Sequence, residues 1–204
     1  MMAVRTLTLT PPPPSRKEIL RYAGERGDAS YDTLLDECIA EALPHLSYRA
    51  AYAVFPVHRI ESTLDFGFMQ TESRGLAKCL SSYDYALIFG ATLGHAYDRL
   101  LVRASAGAPL KSLFFDAIGA ERAEALCDTL CGEIAREYQS AGGALGARYS
   151  PGYGDLPLAV QKDIVRVMDC PRHIGLTLNE SLLMTPRKSV TAFVGVRLGT
   201  PRTE

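Results

Sequence analysis

The feature that most constrains the fold is a run in which Leu110, Leu113, Ala117, Ala120, Glu124, Cys127, Cys131, Ile134 and Tyr138 follow one another at alternating steps of three and four. That spacing lies on one face of a helix of 3.6 residues per turn, so a long amphipathic helix is expected from Pro109 onward. Glu124 falls within the stripe. A carboxylate on a buried seam loses several kcal/mol of solvation unless it is paired or protonated, so Glu124 is expected to have a partner, either Arg148 or a ligand amine or hydroxyl.

Shorter patterns surround this helix. "RKEILRYAG" reads as a helix capped by Ser15, and Tyr31 to Ala42 as a second that Pro44 ends. "YRAAYAVFPVHRI", "LDFGFM", "YDYALIFGATLG", "GLTLNESLLM" and "SVTAFVGVR" read as strands. Small helices are expected near Leu76 to Leu80, His95 to Ala104 and Leu158 to Met168. Before Ser15, "TLTLT" alternates like a strand, and Pro11 to Pro14 forbid a helix or a central ladder position, giving an extended arm over residues 1–14. Strands and helices do not alternate regularly. The expected class is therefore α+β, with a mixed or antiparallel twisted sheet and helices packed on it, in one domain over 15–204.

With 204 residues, the chain is long enough to bury roughly 70% of its unfolded surface. A net charge of −1 with 22% charged residues gives no electrostatic footprint for nucleic acid or a membrane surface. "YALIFGATLG" is too short and glycine-broken to span a bilayer, and the N-terminus lacks the apolar run of a secretion signal, so the expected location is cytoplasmic. The 5 cysteines are odd in number and scattered, which suits reduced, buried thiols. Cys127 and Cys131 lie one helical turn apart, but no second pair accompanies them, and no metal site is expected. HExxH, GxSxG and GxxxxGK[ST] patterns are missing, so the sequence announces no catalytic nucleophile.

What remains is "RYSPGYGDLP", Arg148 to Pro157. Arg148 offers a planar fork for a carboxylate or phosphate, the alternative being an ordinary salt bridge. Gly152 and Gly154 let backbone N–H groups approach a ligand, Pro151 and Pro157 stiffen the loop, and Tyr149 and Tyr153 offer flat faces. The plainer reading is a turn in which Asp155 caps the following helix. Glu180, in phase with Leu178, Leu182 and Met184, is expected to be a buried partner for an arginine.

Arg148, Gly152 and Tyr153 form an Arg-x-x-x-Gly-Tyr pattern, and "GLTLNESLLMTPRKSVTAF" contains Gly-x-x-Leu-x-Glu-Ser followed by a proline and a Ser-Val strand. With "GLAKCLSSYDYALIFGATLG" and "AERAEALCDTL", these resemble the activation (reactivation) domain of cobalamin-dependent methionine synthase, in a free-standing form, over most of Leu76 to Val194. Residues 73–198 would be the family core, and 15–72 an N-terminal helical and strand region. The resemblance implies binding of S-adenosylmethionine, docking on a corrinoid-binding methionine synthase or related corrinoid protein that carries the cobalamin, and a flavodoxin-like electron donor. It assigns Arg148 to the methionyl carboxylate, Glu124 to the amino group, and Tyr149, Ser150, Gly152 and Tyr153 to the adenosyl part. It also explains the missing nucleophile, because cobalt attacks the methyl group.

Two departures stand out. Gly154 and Asp155 replace a Pro-Ala pair, which places a charge that would repel a ligand carboxylate, and the family's longer aromatic tail does not follow "VGVRLGTPRTE". The expected function is a stand-alone reactivation protein supporting reductive methylation of cob(II)alamin. The alternative is a module that docks on a corrinoid protein without binding S-adenosylmethionine. A third reading is an unrelated enzyme that uses Arg148 on an anionic substrate with Glu124 as acid or base.

Overall fold

The computed structural model describes residues 3–24 and 31–199. Its centre is a five-stranded antiparallel sheet in the order β1-β2-β6-β10-β7. The strands are β1 (Arg5–Thr8), β2 (Arg49–Pro56), β6 (Tyr85–Thr92), β7 (Ala144–Tyr149) and β10 (Ser189–Arg197). β2, β6 and β10 are buried almost throughout because helices cover both faces of the sheet, so they read as continuous apolar runs rather than alternating ones. A small meander, β3 (His58–Ile60), β4 (Thr63–Asp65) and β5 (Gln70–Thr71), lies outside this sheet. The α+β class with an antiparallel sheet is therefore as expected.

The long helix is α5, Pro109–Gln139, which starts with a proline in its first turn, where the missing N–H costs nothing. It serves two cores. Its N-terminal half, through Phe114, Phe115, Ala117 and Ile118, packs into a helical cluster with α1 (Arg16–Tyr22), α2 (Asp32–Ala42) and α4 (His95–Ser105). Its C-terminal half, through Ala123, Leu126, Cys127, Leu130 and Ile134, packs on the sheet. The buried row Phe114, Ile118, Arg122, Leu126, Leu130 and Ile134 steps by four, and so advances about 40° around the helix at each step.

This winding corrects the expected seam. A stripe alternating three and four stays near one face, whereas the real contact face rotates from one core to the other. Leu110 and Leu113 are thus exposed, and so is Glu124. The buried carboxylate is Glu121 instead, at 6% exposure, paired with Arg122 at 1%.

Two local differences also have physical reasons. "GLTLNESLLM" is not one strand but a two-residue ribbon, β8 (Thr177–Leu178) with β9 (Met184–Thr185). Asn179 closes the turn between them, its Oδ1 accepting from the Leu183 N–H at 2.9 Å. Glu180 lies exposed on that turn and is no buried partner of an arginine. Beyond α6 (Val160–Val167), a short helix α7 (Cys170–Ile174), which the sequence reading did not include, takes Pro171 in its first turn, where the missing N–H costs nothing. α7 packs on the sheet face opposite α5, with Cys170 Sγ and Leu176 against Gly90.

Candidate functional site

Arg148 belongs to edge strand β7, not to a loop, opposite Val194 of β10. Successive strand residues point to opposite faces, so Arg148 faces α5 while Tyr149 turns to the other side. One Arg148 nitrogen, Nη2, donates to Glu124 Oε2 at 2.8 Å and to Asp128 Oδ1 at 2.9 Å. Glu124 and Asp128 are one turn apart on the outer face of α5, with side chains 50% and 73% exposed, while that of Arg148 is 25% exposed. The exposed pairs add little to stability by themselves.

Burial pulls the Arg148 guanidinium below its ordinary value, and the Cys127 thiol and the Glu124 and Asp128 carboxylates bring it back above. Because burial pushes Cys127 up to about 12, that group is a neutral thiol at physiological pH and the two carboxylates supply the charge. The cluster is one cation and two anions, a net −1, with three of the five guanidinium N–H donors outside these two bonds.

A groove of about 400 Å³ opens beside this cluster, lined by Glu124, Arg148, Ser150, Tyr153 and Val190. Four of the six sequence-selected residues thus share one groove. Tyr153 is 69% exposed, standing at the groove as a free aromatic face. Tyr149 and Gly152 do not line it. The Tyr149 ring meets Tyr153 edge-on, with centroids 5.5 Å apart. The Gly152 N–H bonds the Leu156 carbonyl at 2.9 Å and the Tyr153 N–H the Ser150 carbonyl at 3.1 Å, so these two amides are engaged within the loop. Asp128 was not among the candidates, although its position one turn beyond Glu124 is the signal that would have found it.

Asp155 does not cap the helix that follows. Its carboxylate turns to α3 (Arg74–Cys79), accepting from Ser73 Oγ at 2.5 Å, Arg74 N at 2.7 Å and Gly75 N at 3.1 Å. The Ser73 hydroxyl, with the Arg74 and Gly75 amides, holds this carboxyl below its usual range. Its charge is therefore taken up at α3, and the groove lining does not include it.

A larger groove, about 900 Å³, meets the first at Glu124, includes Asp128, and runs between α5 and the proline arm. The arm is fastened by the buried pair. Arg122 donates to Glu121 at 2.5 and 2.6 Å and through Nη1 to the Pro12 carbonyl at 2.6 Å, while Glu121 accepts from the Ser15 N–H at 3.1 Å. Among the described residues, no group of three or more His, Cys, Asp or Glu could hold a metal, and no helix is long and apolar enough to cross a membrane.

The architecture is that of a reactivation domain. The whole chain matches 80% of a solved chain described as the MetH reactivation domain bound to AdoHcy, with a TM-score of 0.67 and 18% sequence identity. Residues 77–198 match the family described as vitamin B12 dependent methionine synthase, activation domain, and the chain belongs to that family. No curated protein matches it at a significant level.

Proposed function

We propose that this chain is a stand-alone reactivation protein that binds S-adenosylmethionine in the Arg148 groove and presents its methyl group to a cobalamin held by a methionine synthase or related corrinoid protein. The observation that carries the reading is the joining of Arg148 and Glu124 at one groove that also exposes Tyr153, with Asp128 bonded to the same Arg148 nitrogen at its margin. The methionyl end of the ligand is a zwitterion, so its carboxylate suits the free donors of Arg148 and its ammonium suits Glu124 and Asp128. A site of net charge −1 also suits a ligand whose sulfonium gives it a net positive charge. Ser150 and Tyr153 would hold the adenosyl part, the ring stacking on the base. The groove volume falls within the range of about 300–1,000 Å³ usual for small-molecule sites. The family match and a solved relative described with bound AdoHcy support the same ligand class.

The partner's cobalamin supplies the nucleophile that accepts the methyl group. This chain binds and orients the donor, and no protein side chain need form a bond to it. A flavodoxin-like protein would supply the electron. The free cysteines fit a reducing, cytoplasmic setting. The turning of Asp155 away from the groove favours ligand binding over a docking module that has lost it. Calorimetry with S-adenosylmethionine tests the reading: saturable binding is expected, and no heat at millimolar ligand, with or without a corrinoid protein present, would overturn it. Restored activity when the chain is added to an inactivated methionine synthase lacking its own activation domain tests the partner.

A further inference from the structure

We propose that Asp155 is the positioning residue of this site: its carboxylate staples the loop that carries Ser150 and Tyr153 onto α3 and so sets the wall of the groove. As far as the ligand is concerned, this rests on the function proposed above. From Ser150 to Ala159 the chain has no strand partner, and its own bonds, Tyr153 N–H to Ser150 and Leu156 N–H to Tyr153, shape the turn without fixing where it sits. Leu156, 2% exposed in the main core, anchors its far side, and two polar contacts outside the loop fix the part that carries Ser150 and Tyr153. At its start, the Tyr149 hydroxyl is wedged between two glycines, such that a Cβ on Gly154 would lie 2.6 Å from Oη and one on Gly75 would overlap it.

At its end, Asp155 takes up first-turn donors of α3 that have no partner within the helix, the amides of Arg74 and Gly75, together with the hydroxyl of Ser73. Ser73 is 4% exposed and its Oγ also accepts from the Leu76 N–H at 3.1 Å, so the anchor point is itself held in the core. Hydrogen bonds from a carboxylate to backbone amides are charge-assisted and about twice as strong as neutral ones. Arg148 is outside this arrangement, since β7 and α5 hold it. The ion cluster and the loop are therefore two separately supported halves of one groove, and Asp155 governs only the second.

The chain contains 10 Tyr and no Trp, so its near-ultraviolet circular dichroism is dominated by tyrosine and reports on the Tyr149–Tyr153 pair. Asp155→Ala is expected to keep the far-ultraviolet spectrum, to lose part of the near-ultraviolet tyrosine signal, and to bind S-adenosylmethionine at least tenfold more weakly. Asp155→Asn keeps one acceptor oxygen but turns an amide N–H toward Arg74, and should fall between Ala and wild type on both readouts. Gly75→Ala keeps the Asp155 side chain but sets a Cβ onto the Tyr149 hydroxyl and 2.9 Å from Asp155 Oδ1, so it should loosen both contacts and reproduce the spectral change. It also carries the test if Asp155→Ala does not fold. Unchanged spectra in Asp155→Ala and Gly75→Ala would overturn the proposal, as would a spectral change with unaltered affinity. If wild type binds no S-adenosylmethionine yet Asp155→Ala loses the tyrosine signal, the ligand reading fails and Asp155 stands as the loop's anchor.

Discussion

Arg148 and Arg122 show how differently one residue type behaves at two depths. Arg148 sits at a groove between two exposed carboxylates that water can solvate if it is removed. Arg148→Ala should therefore leave urea stability nearly unchanged, and should weaken S-adenosylmethionine binding by about thirtyfold, or about 2 kcal/mol, measured by calorimetry. Arg148→Lys keeps the charge but loses the fork and should recover only part of that loss. Arg122 is the reverse case. Burial works against its charge, and the bonds to Glu121 hold its guanidinium above the ordinary value. Removing either partner strands the other without water, so Arg122→Met or Glu121→Leu alone should destabilise the chain by about 3–5 kcal/mol in urea melts. Replacing both together should cost less than the sum of the two. Arg148 was legible in sequence because an arginine among tyrosines, glycines and prolines is unusual. Glu121 and Arg122 were not, since two adjacent opposite charges on a helix look like solvated surface.

At the level of elements, the strands and most helices were readable because their apolar patterns are strong and their ends are marked by proline, glycine or a capping serine. What the sequence did not reveal was where one element meets two partners. The stripe on α5 failed for that reason: the helix leaves the cluster around Phe114 and Ile118 and enters the one around Leu126 and Leu130, and the buried face turns with it. The edge formed by β7 and β10 hides a similar dependence. Tyr83 lies across both strands, and a Cβ built on Gly195 or on Gly146 would approach its ring to within 2.9 Å. The register also shifts between Val194 and Val196, so the edge is already irregular where the ring rests. Gly195→Ala should cost about 1–3 kcal/mol through overpacking, and much less in a Tyr83→Ala background. Equal losses in the two backgrounds, measured by thermal melts, would show that the glycine is needed for its backbone and not for the ring. Since β7 carries Arg148, the first variant should also weaken ligand binding.

Across the whole molecule, buried thiols set the alkaline limit of stability. Burial pushes Cys127 and Cys170 up to about 12 and Cys38 and Cys131 up to about 11, against about 8.5 for an exposed thiol. A raised folded-state value means that the native chain keeps its thiol protons while the unfolded chain sheds them. The contribution of these groups is fully present below about pH 8.5 and is lost progressively as the pH rises toward 11 and 12. Each thiol that ionises only in the unfolded chain tilts stability by up to about 1.4 kcal/mol per pH unit. Carboxylates act at the other end. Asp155, held below its usual range chiefly by the Ser73 hydroxyl, and Asp65, held down chiefly by the Gly67 amide, favour the native state above the ordinary carboxylate range, and that preference is lost as the pH falls through their lowered values. Melting temperatures should thus be level between about pH 5 and 8.5 and fall on the alkaline side. Cys170→Ala makes the cause testable, because Cys170 Sγ lies against Gly90 in the core and its removal opens space there. The variant should melt lower than wild type at pH 7 yet lose stability less steeply above pH 9, and parallel curves for the two proteins would show that this thiol ionises alike in the folded and unfolded chains.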